Sequence, residues 1–225
     1  MTAPTPFGYY DLLEAFAQPG CAVCRLLEKD VDRFLDNLLY EYPTDPTTQN
    51  NFRASRGLCH EHSWQLTRYN SALAVAVLYN AALDEVLDIS GKTAPDKGKR
   101  GKPSALADAL EPTKPCPACV VRSDSEKRYL KVIGEYIAEE RLREAFRKSD
   151  GLCLPHFRES LRVSTPDCAR TLTEIQRDIW TALKREVEEF LHKMDAHYHQ
   201  EIGKEATSWL RTLARLAGEK HLGDG

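Results

Sequence analysis

The chain has 225 residues, of which 42% are hydrophobic and 29% are charged, and this composition is typical of a globular protein with a buried core. Its formal net charge of −3 excludes a strong overall attraction to nucleic acid or to anionic membranes. The N-terminus lacks the charged segment and apolar core of a signal peptide, and the longest apolar run, Ala72 to Leu83, is too short to span a bilayer. We therefore predict a cytoplasmic protein without membrane insertion.

Apolar residues recur at helical spacing along most of the chain, and no segment shows the sustained alternation of a half-buried strand. The pattern predicts helices over residues 7–17, 25–42, 46–57, 59–89, 127–137, 140–149, 166–199 and 206–217, with a further helix after Cys153. Asp45 and Thr165 are expected as N-caps, because each is followed by a proline suited to the first turn. The fold class predicted from these elements is all-α.

One motif occurs twice along the chain. The first copy consists of Cys21, Cys24, Cys59 and His62. The second copy consists of Cys116, Cys119, Cys153 and His156. Each copy reads C-x2-C, then a spacer (residues 25–58 or 120–152), then C-x2-H preceded by Gly-Leu. Six of the seven cysteines thus belong to two matching sets of three cysteines and one histidine.

The repeat extends beyond these eight residues, since Phe52-Arg53 matches Phe146-Arg147 and Arg33 matches Arg128. A duplicated unit is the simplest explanation. We predict a first helical repeat over residues 1–90, a basic linker over 91–114 and a second helical repeat over 115–225. The two repeats are expected to be related by a pseudo-two-fold axis and to pack as one globular bundle.

Three thiolates and one imidazole are a closed ligand set for structural zinc, with Zn–S distances of about 2.3 Å. The pattern therefore predicts two zinc ions per chain. An iron–sulfur cluster or thiol redox chemistry is the alternative for the same ligands. Disulfides at Cys21–Cys24 and Cys116–Cys119 would leave both C-x2-H pairs unexplained.

The spacing leaves the pairing of the ligands open. A helix over residues 25–42 is about 27 Å long, so the chain must return that far before Cys59 can meet Cys21 and Cys24. The residues from Pro43 to Leu58 could cover this distance, and we favour pairing within each copy. The alternative is exchange, with Cys153 and His156 completing the site of the first C-x2-C pair.

No sequence motif of a known catalytic site is found, and we interpret the protein as a non-enzymatic binding or adaptor module for a protein partner or a small ligand. Nucleic-acid binding is a less favoured alternative that would use the basic residues Lys92, Lys97, Lys99, Arg100 and Lys102. His60 lies between two ligands but has no counterpart in the second copy. Cys168 is unpaired and is expected to be packed in the core.

The segments Tyr9 to Ala15, Gly20 to Cys24 and Gly57 to Trp64 resemble a family of bacterial and archaeal proteins known as a domain of unknown function. Members of that family carry twin C-x2-C…G-x-C-x2-H units, and all eight ligand positions are present in this chain. The resemblance extends over about residues 9 to 200, and the basic linker is its variable part. It implies metal binding and no particular activity.

Overall fold

A computed structural model describes residues 5–93, 103–195, 201 and 203–219. All regular secondary structure within these ranges is helical, with eleven α-helices, two 3₁₀ turns and no strand, which confirms the predicted fold class. The helices are α1 (Tyr9–Phe16), α2 (Ala22–Tyr40), α3 (Pro46–Ala54), α4 (His60–Gln65), α5 (Ala72–Thr93), α6 (Pro103–Leu110), α7 (Pro117–Tyr136), α8 (Glu140–Lys148), α9 (Leu154–Val163), α10 (Pro166–Met194) and α11 (Ser208–Ala217).

The chain divides into two compact units. The first unit comprises the described residues among 1–29 and 124–224, and the second comprises those among 30–123. The boundaries fall inside α2 and α7, so each of these long helices begins in one unit and ends in the other. The two units therefore differ from the two copies of the sequence motif. The internal duplication and its pseudo-two-fold axis stay predictions.

The core of the first unit joins the two ends of the chain. Leu12 and Phe16 of α1 and Leu27 of α2 are buried in one cluster with Ile133 of α7 and Phe146 of α8. Phe16 and Phe146 are in ring contact, with their centroids 5.4 Å apart. Cys21 and Cys153 lie in the same cluster, so two of the candidate ligands are part of the core.

The core of the second unit is smaller. Leu35 of α2, Phe52 of α3, Leu66 after α4 and Leu78 of α5 are buried together. The Phe52 ring meets the ring of Tyr79 edge to face, with their centroids 5.2 Å apart. This contact packs α3 against α5.

The single helix predicted over residues 59–89 is interrupted, and this part of the prediction is wrong. After α4 the chain forms a 3₁₀ turn, Leu66–Arg68, and Tyr69 is extended before α5 begins. The Tyr69 hydroxyl donates to the Asp32 carboxylate at 3.1 Å, which anchors the break on α2. Asn70 and Ser71 follow, and such residues favour turns because their side chains compete for backbone hydrogen bonds.

Two further helix boundaries differ from the sequence analysis. Helix α7 begins at Pro117, ten residues before the predicted start at Lys127, so Cys119 lies in its first turn. Helix α6 occupies Pro103–Leu110, within the segment predicted as linker. Apart from alanine, its hydrophobic residues are Leu106 and Leu110, and this pattern is too short to predict a helix.

Candidate metal centres

Each of the four ligand pairs lies at the start of a helix. Cys21, Cys59, Cys116 and Cys153 immediately precede α2, α4, α7 and α9, and the second ligand of each pair lies in the first helical turn. The carbonyl of each first ligand accepts a hydrogen bond from the residue four positions later, which is the first bond of the helix. Ligands at these two positions point to the same side of the turn, so each pair can bind one ion.

The structure brings the eight residues together as two clusters of four. The first site consists of Cys21, Cys24, Cys153 and His156. The second site consists of Cys59, His62, Cys116 and Cys119. In each cluster the donor atoms all lie within 4.8 Å of one another. Each site lies within one of the two units, and all seven cysteines of the chain are free thiols.

The favoured pairing within each motif copy is therefore wrong, and the exchanged alternative is observed. The reason is the length of α2 and α7. A helix of 19 residues, such as α2, is about 28 Å long, so it carries the chain out of the first unit before Cys59 is reached. Helix α7 has 20 residues and carries the chain away from Cys116 in the same way. Each of these helices therefore begins in the unit that contains the C-x2-C pair of its copy and ends in the unit that contains the C-x2-H pair.

The donor atoms of the first site have the spacing of a tetrahedral ligand set. The Sγ atoms of Cys24 and Cys153 are 3.7 Å apart, and Nδ1 of His156 is 3.5 Å from Cys21 Sγ, 3.4 Å from Cys24 Sγ and 3.1 Å from Cys153 Sγ. Tetrahedral zinc with Zn–S of about 2.3 Å and Zn–N of about 2.0 Å would separate two sulfurs by about 3.8 Å, and sulfur from nitrogen by about 3.5 Å. The site therefore fits zinc.

The second site has nearly the same dimensions. The Sγ atoms of Cys59 and Cys119 are 3.6 Å apart. Nδ1 of His62 lies 3.1 Å from Cys59 Sγ, 3.5 Å from Cys119 Sγ and 3.8 Å from Cys116 Sγ. In both sites the histidine thus faces the sulfurs with Nδ1, which leaves Nε2 free to bind a partner outside the cluster.

The pKa values of the donor groups in the first site are strongly shifted by their close contact. Burial raises the pKa of the Cys21 thiol, but hydrogen bonds with Cys153, Cys24 and His156 outweigh burial and hold that pKa well below its ordinary value. Hydrogen bonds with Cys153 and Cys21 raise the pKa of Cys24. Burial lowers the pKa of His156, yet hydrogen bonds with Cys153 and Cys21 raise it to about 10. The donors of this cluster therefore compete for protons, and a bound divalent cation would stabilise their metal-binding forms together.

In the second site, too, the pKa values of the thiols are shifted in opposite directions. Burial raises the pKa of Cys116, but hydrogen bonds from His62 and from backbone amides outweigh burial and lower it to about 6. Burial and a hydrogen bond with Cys59 raise the pKa of Cys119 to about 12. A metal ion that neutralises the thiolates would remove this competition for protons.

The two sites differ in burial. In the first site Cys21, Cys153 and His156 are buried and Cys24 is half-buried. In the second site His62 is buried, but all three cysteines are half-buried. Solvent therefore has easier access to the sulfurs of the second site.

Neighbouring residues fix the C-x2-H pair of the first site. The buried side chain of Gln176, on α10, accepts from the backbone N–H of Leu152 at 2.8 Å and donates to its carbonyl at 3.2 Å. Gly151 has φ +77°, and a Cβ atom there would fall 2.8 Å from the Gln176 amide.

A carboxylate lies beside the histidine of the first site: His156 Nε2 is 3.5 Å from a carboxylate oxygen of Glu126. A carboxylate in this position orients a metal-bound imidazole. The sequence alone did not identify Gln176 or Glu126, since neither belongs to the repeat.

The corresponding support in the second site comes from α5. The Tyr79 hydroxyl donates to Ser63 Oγ at 2.6 Å, and Ser63 Oγ donates to the carbonyl of Leu58 at 3.1 Å. Gly57 has φ +88°, and a Cβ atom there would fall 3.1 Å from the Tyr79 ring. The glycine of each G-L-C-x2-H motif thus provides a left-handed turn under a side chain from the next long helix.

Other sequence candidates lie outside the two clusters. His60 is exposed on α4, and Cys168 is buried in the core of the first unit, as the sequence predicted. Of the basic residues considered for nucleic acid, Lys92 is exposed and lies 3.5 Å from Asp88. Lys97, Lys99, Arg100 and Lys102 lie outside the described residues. Within the part of the chain that the structure covers, no helix is both long enough and apolar enough to cross a membrane.

Comparison with known proteins places the chain in a family. Residues 90–221, more than half of the chain, match the family of unknown function DUF6062, and the protein belongs to this family. The chain is also similar to an uncharacterized 23.9 kDa protein encoded in the xynA 3′ region of Caldicellulosiruptor sp. (strain Rt8B.4), with 32% identity over 72 residues. That match covers 32% of this chain and 35% of the relative, so the chain spans about a third of the length of the relative. No solved structure matches the chain.

Proposed function

We propose that the protein is a zinc-stabilised helical module of the cytoplasm, with two structural zinc ions, that binds a macromolecular partner or a small ligand without catalysing a reaction. The observation that supports it best is the donor geometry: two separate clusters of three sulfurs and one imidazole nitrogen, whose donor atoms lie within 4.8 Å of one another in each cluster. Four protein ligands close the coordination sphere, whereas catalytic zinc keeps one position for water or substrate.

Zinc would contribute to folding itself. The first site joins the start of α2 to the start of α9, and the second joins the start of α4 to the start of α7. Each ion would therefore cross-link segments that are far apart in sequence. Structural zinc of this kind contributes on the order of 10 kcal/mol of apparent folding free energy at neutral pH.

Exposed apolar side chains on α11 support the binding part of the proposal. Trp209, Leu210, Leu213 and Leu216 are each about half-exposed on this helix. Clustered apolar surface of this kind is typical of sites that bind another molecule.

Elemental analysis of anaerobically purified protein, with an absorption spectrum of the same sample, tests the metal assignment. The proposal predicts two zinc ions per chain and a colourless solution. A brown solution that contains iron and absorbs at about 400 nm would overturn it in favour of an iron–sulfur protein. Metal-free protein that is fully folded would also contradict it.

A further inference from the structure

A buried arginine near the C-terminus connects the two ligand pairs of the first site. Arg215, on α11, is 4% exposed. Its Nη1 donates to Glu219 Oε1 at 2.8 Å, and its Nη2 lies 3.0 Å from Asp150 Oδ2. A guanidinium this well buried needs such partners, because an unpaired buried charge is strongly destabilising.

The same two carboxylate oxygens bind the backbone beside the first ligand pair. The Gly20 N–H donates to Asp150 Oδ2 at 2.8 Å, and the Cys21 N–H donates to Glu219 Oε1 at 2.9 Å. Asp150 directly precedes the Gly151-Leu152-Cys153 turn, which carries the second ligand pair. One guanidinium therefore holds the Cys21 backbone through Glu219 and joins it to the Cys153 turn through Asp150.

Gly20 makes this close approach possible. Its φ is +96°, and a Cβ atom at this position would fall 2.9 Å from Glu219 Oε1. Any other residue would push the carboxylate away from the Cys21 amide, so the turn before the ligand is shaped to accept Glu219.

Helix α11 is attached to its unit by polar contacts. Its buried residues are Ser208 and Arg215, while the apolar residues Trp209, Leu210, Leu213 and Leu216 are exposed. An amphipathic helix usually buries its apolar face and exposes its polar face, and α11 does the reverse. The contacts of Arg215 are therefore a principal attachment of this helix, and they lead directly to the ligand turns.

We propose that Arg215 is a positioning residue for the first site, and that α11 acts as a clamp that keeps the Cys21–Cys24 and Cys153–His156 pairs together around the ion. This inference rests on the proposed zinc binding. It assigns a role to the C-terminal helix that the metal-binding motif does not include. The second site lies in the other unit and contains no residue of this network, so it serves as an internal reference.

The experiment compares the full-length variants Arg215→Ala and Arg211→Ala, both loaded with zinc. Arg211 lies on the same helix and binds Glu186, so it controls for the loss of a charged side chain on α11. Each protein is challenged with a chelator in the presence of N-ethylmaleimide, and mass spectrometry gives the alkylation rate of each cysteine. For Arg215→Ala we expect Cys21, Cys24 and Cys153 to react about 10- to 100-fold faster than in the parent, because loss of a residue that supports metal ligands lowers metal affinity by about that factor and leaves more of the site metal-free in the chelator.

The other cysteines of the chain distinguish a local effect on the first site from a general loss of stability. Cys59, Cys116 and Cys119 of the second site should keep their parent rates, and so should Cys168, which is buried in the core of the first unit and binds no metal. If Cys168 reacts faster in parallel with Cys21, Arg215 acts only on global stability and the inference is overturned. Equal rates for the two variants at Cys21, Cys24 and Cys153 would overturn it as well.

A milder variant keeps the test valid if Arg215→Ala does not fold. Glu219→Gln retains an oxygen that can accept from the Cys21 amide but loses the charge that pairs with Arg215, and we expect a smaller acceleration at the same three cysteines. No acceleration in this variant would contradict the inference. Absence of zinc from the parent protein would instead overturn the proposed function, so the two failures are distinguishable.

Discussion

The first ligand of each pair lies just before a helix and the second lies in its first turn, and this placement suits a thiolate. The N-terminal end of a helix carries a partial positive charge and unpaired N–H groups, which favour an anion there. For Cys24 on α2 and Cys119 on α7, the helix is 19 or 20 residues long. The start of each helix therefore favours the thiolate form of these cysteines before any metal is bound.

At this scale the histidines provide the sharpest test. We predict that His62→Ala lowers the zinc content from two ions to one per chain, because it removes the nitrogen ligand of the second site. His60→Ala is the matched control, since His60 is exposed on the same helix and lies outside the cluster. Metal analysis after gel filtration measures both variants. Equal zinc content in the two would contradict the assignment of His62.

The difference in burial between the sites leads to a second prediction. With excess chelator, Cys59, Cys116 and Cys119 should be alkylated before Cys21 and Cys153, because solvent reaches the half-buried sulfurs of the second site first. Alkylation followed by mass spectrometry over time gives the order. Simultaneous reaction of both sites, or earlier reaction of the first, would show that burial does not control metal loss.

At the scale of helices, two glycines inside α5 and α7 are expected to respond in opposite directions to substitution by alanine. A Cβ atom on Gly134 of α7 would fall 2.7 Å from the backbone oxygen of Val163 at the end of α9, so Gly134→Ala forces backbone apart. We expect a loss of about 1–3 kcal/mol in the free energy of unfolding.

Gly91 of α5 is the control, because a Cβ atom there meets nothing within 4 Å. Gly91→Ala should leave stability unchanged or raise it by up to about 1 kcal/mol, the difference in helix propensity. Thermal unfolding of both zinc-loaded variants is the measurement. Similar Tm values for the two would show that the approach of α7 to Val163 is not tight.

The starts of α3 and α10 were predicted from the sequence because their N-caps depend only on neighbouring residues. Asp45 and Thr165 cap α3 and α10 as expected, accepting from the N–H of Thr48 at 2.7 Å and of Cys168 at 3.4 Å. The break at Tyr69 was missed because it depends on a hydrogen bond to Asp32, 37 residues away in sequence. All eight candidate ligands were identified from spacing, but spacing does not say which distant pair each one meets.

At the scale of the whole molecule, both sites combine ligands from the two motif copies. The region that matches DUF6062, residues 90–221, contains Cys116 and Cys119 of the second site and Cys153 and His156 of the first. It therefore contains half of each site. A fragment limited to this region would lack a complete ligand set.

This exchange predicts how the protein responds to cleavage between the copies. We expect that zinc-loaded protein, once cut at a protease recognition sequence placed within residues 94–102, keeps its two fragments together, because each ion binds both. Gel filtration with metal analysis, before and after cleavage, is the measurement. After a chelator is added, the hydrophobic core that α1 and α2 share with α7 and α8 remains, so we expect the fragments to bind each other more weakly and to separate at low protein concentration. Two fragments that separate while each keeps one zinc would instead indicate pairing within each copy.

The central claim is that two zinc ions are bound by ligands exchanged between the motif copies, and crystallography at the zinc absorption edge tests it most directly. The account predicts two anomalous peaks per chain, one among Cys21, Cys24, Cys153 and His156 and the other among Cys59, His62, Cys116 and Cys119. Each peak should lie about 2.3 Å from its sulfurs and about 2.0 Å from its histidine nitrogen. A peak that joins Cys21 and Cys24 to Cys59 and His62, or no peak at either cluster, would contradict it.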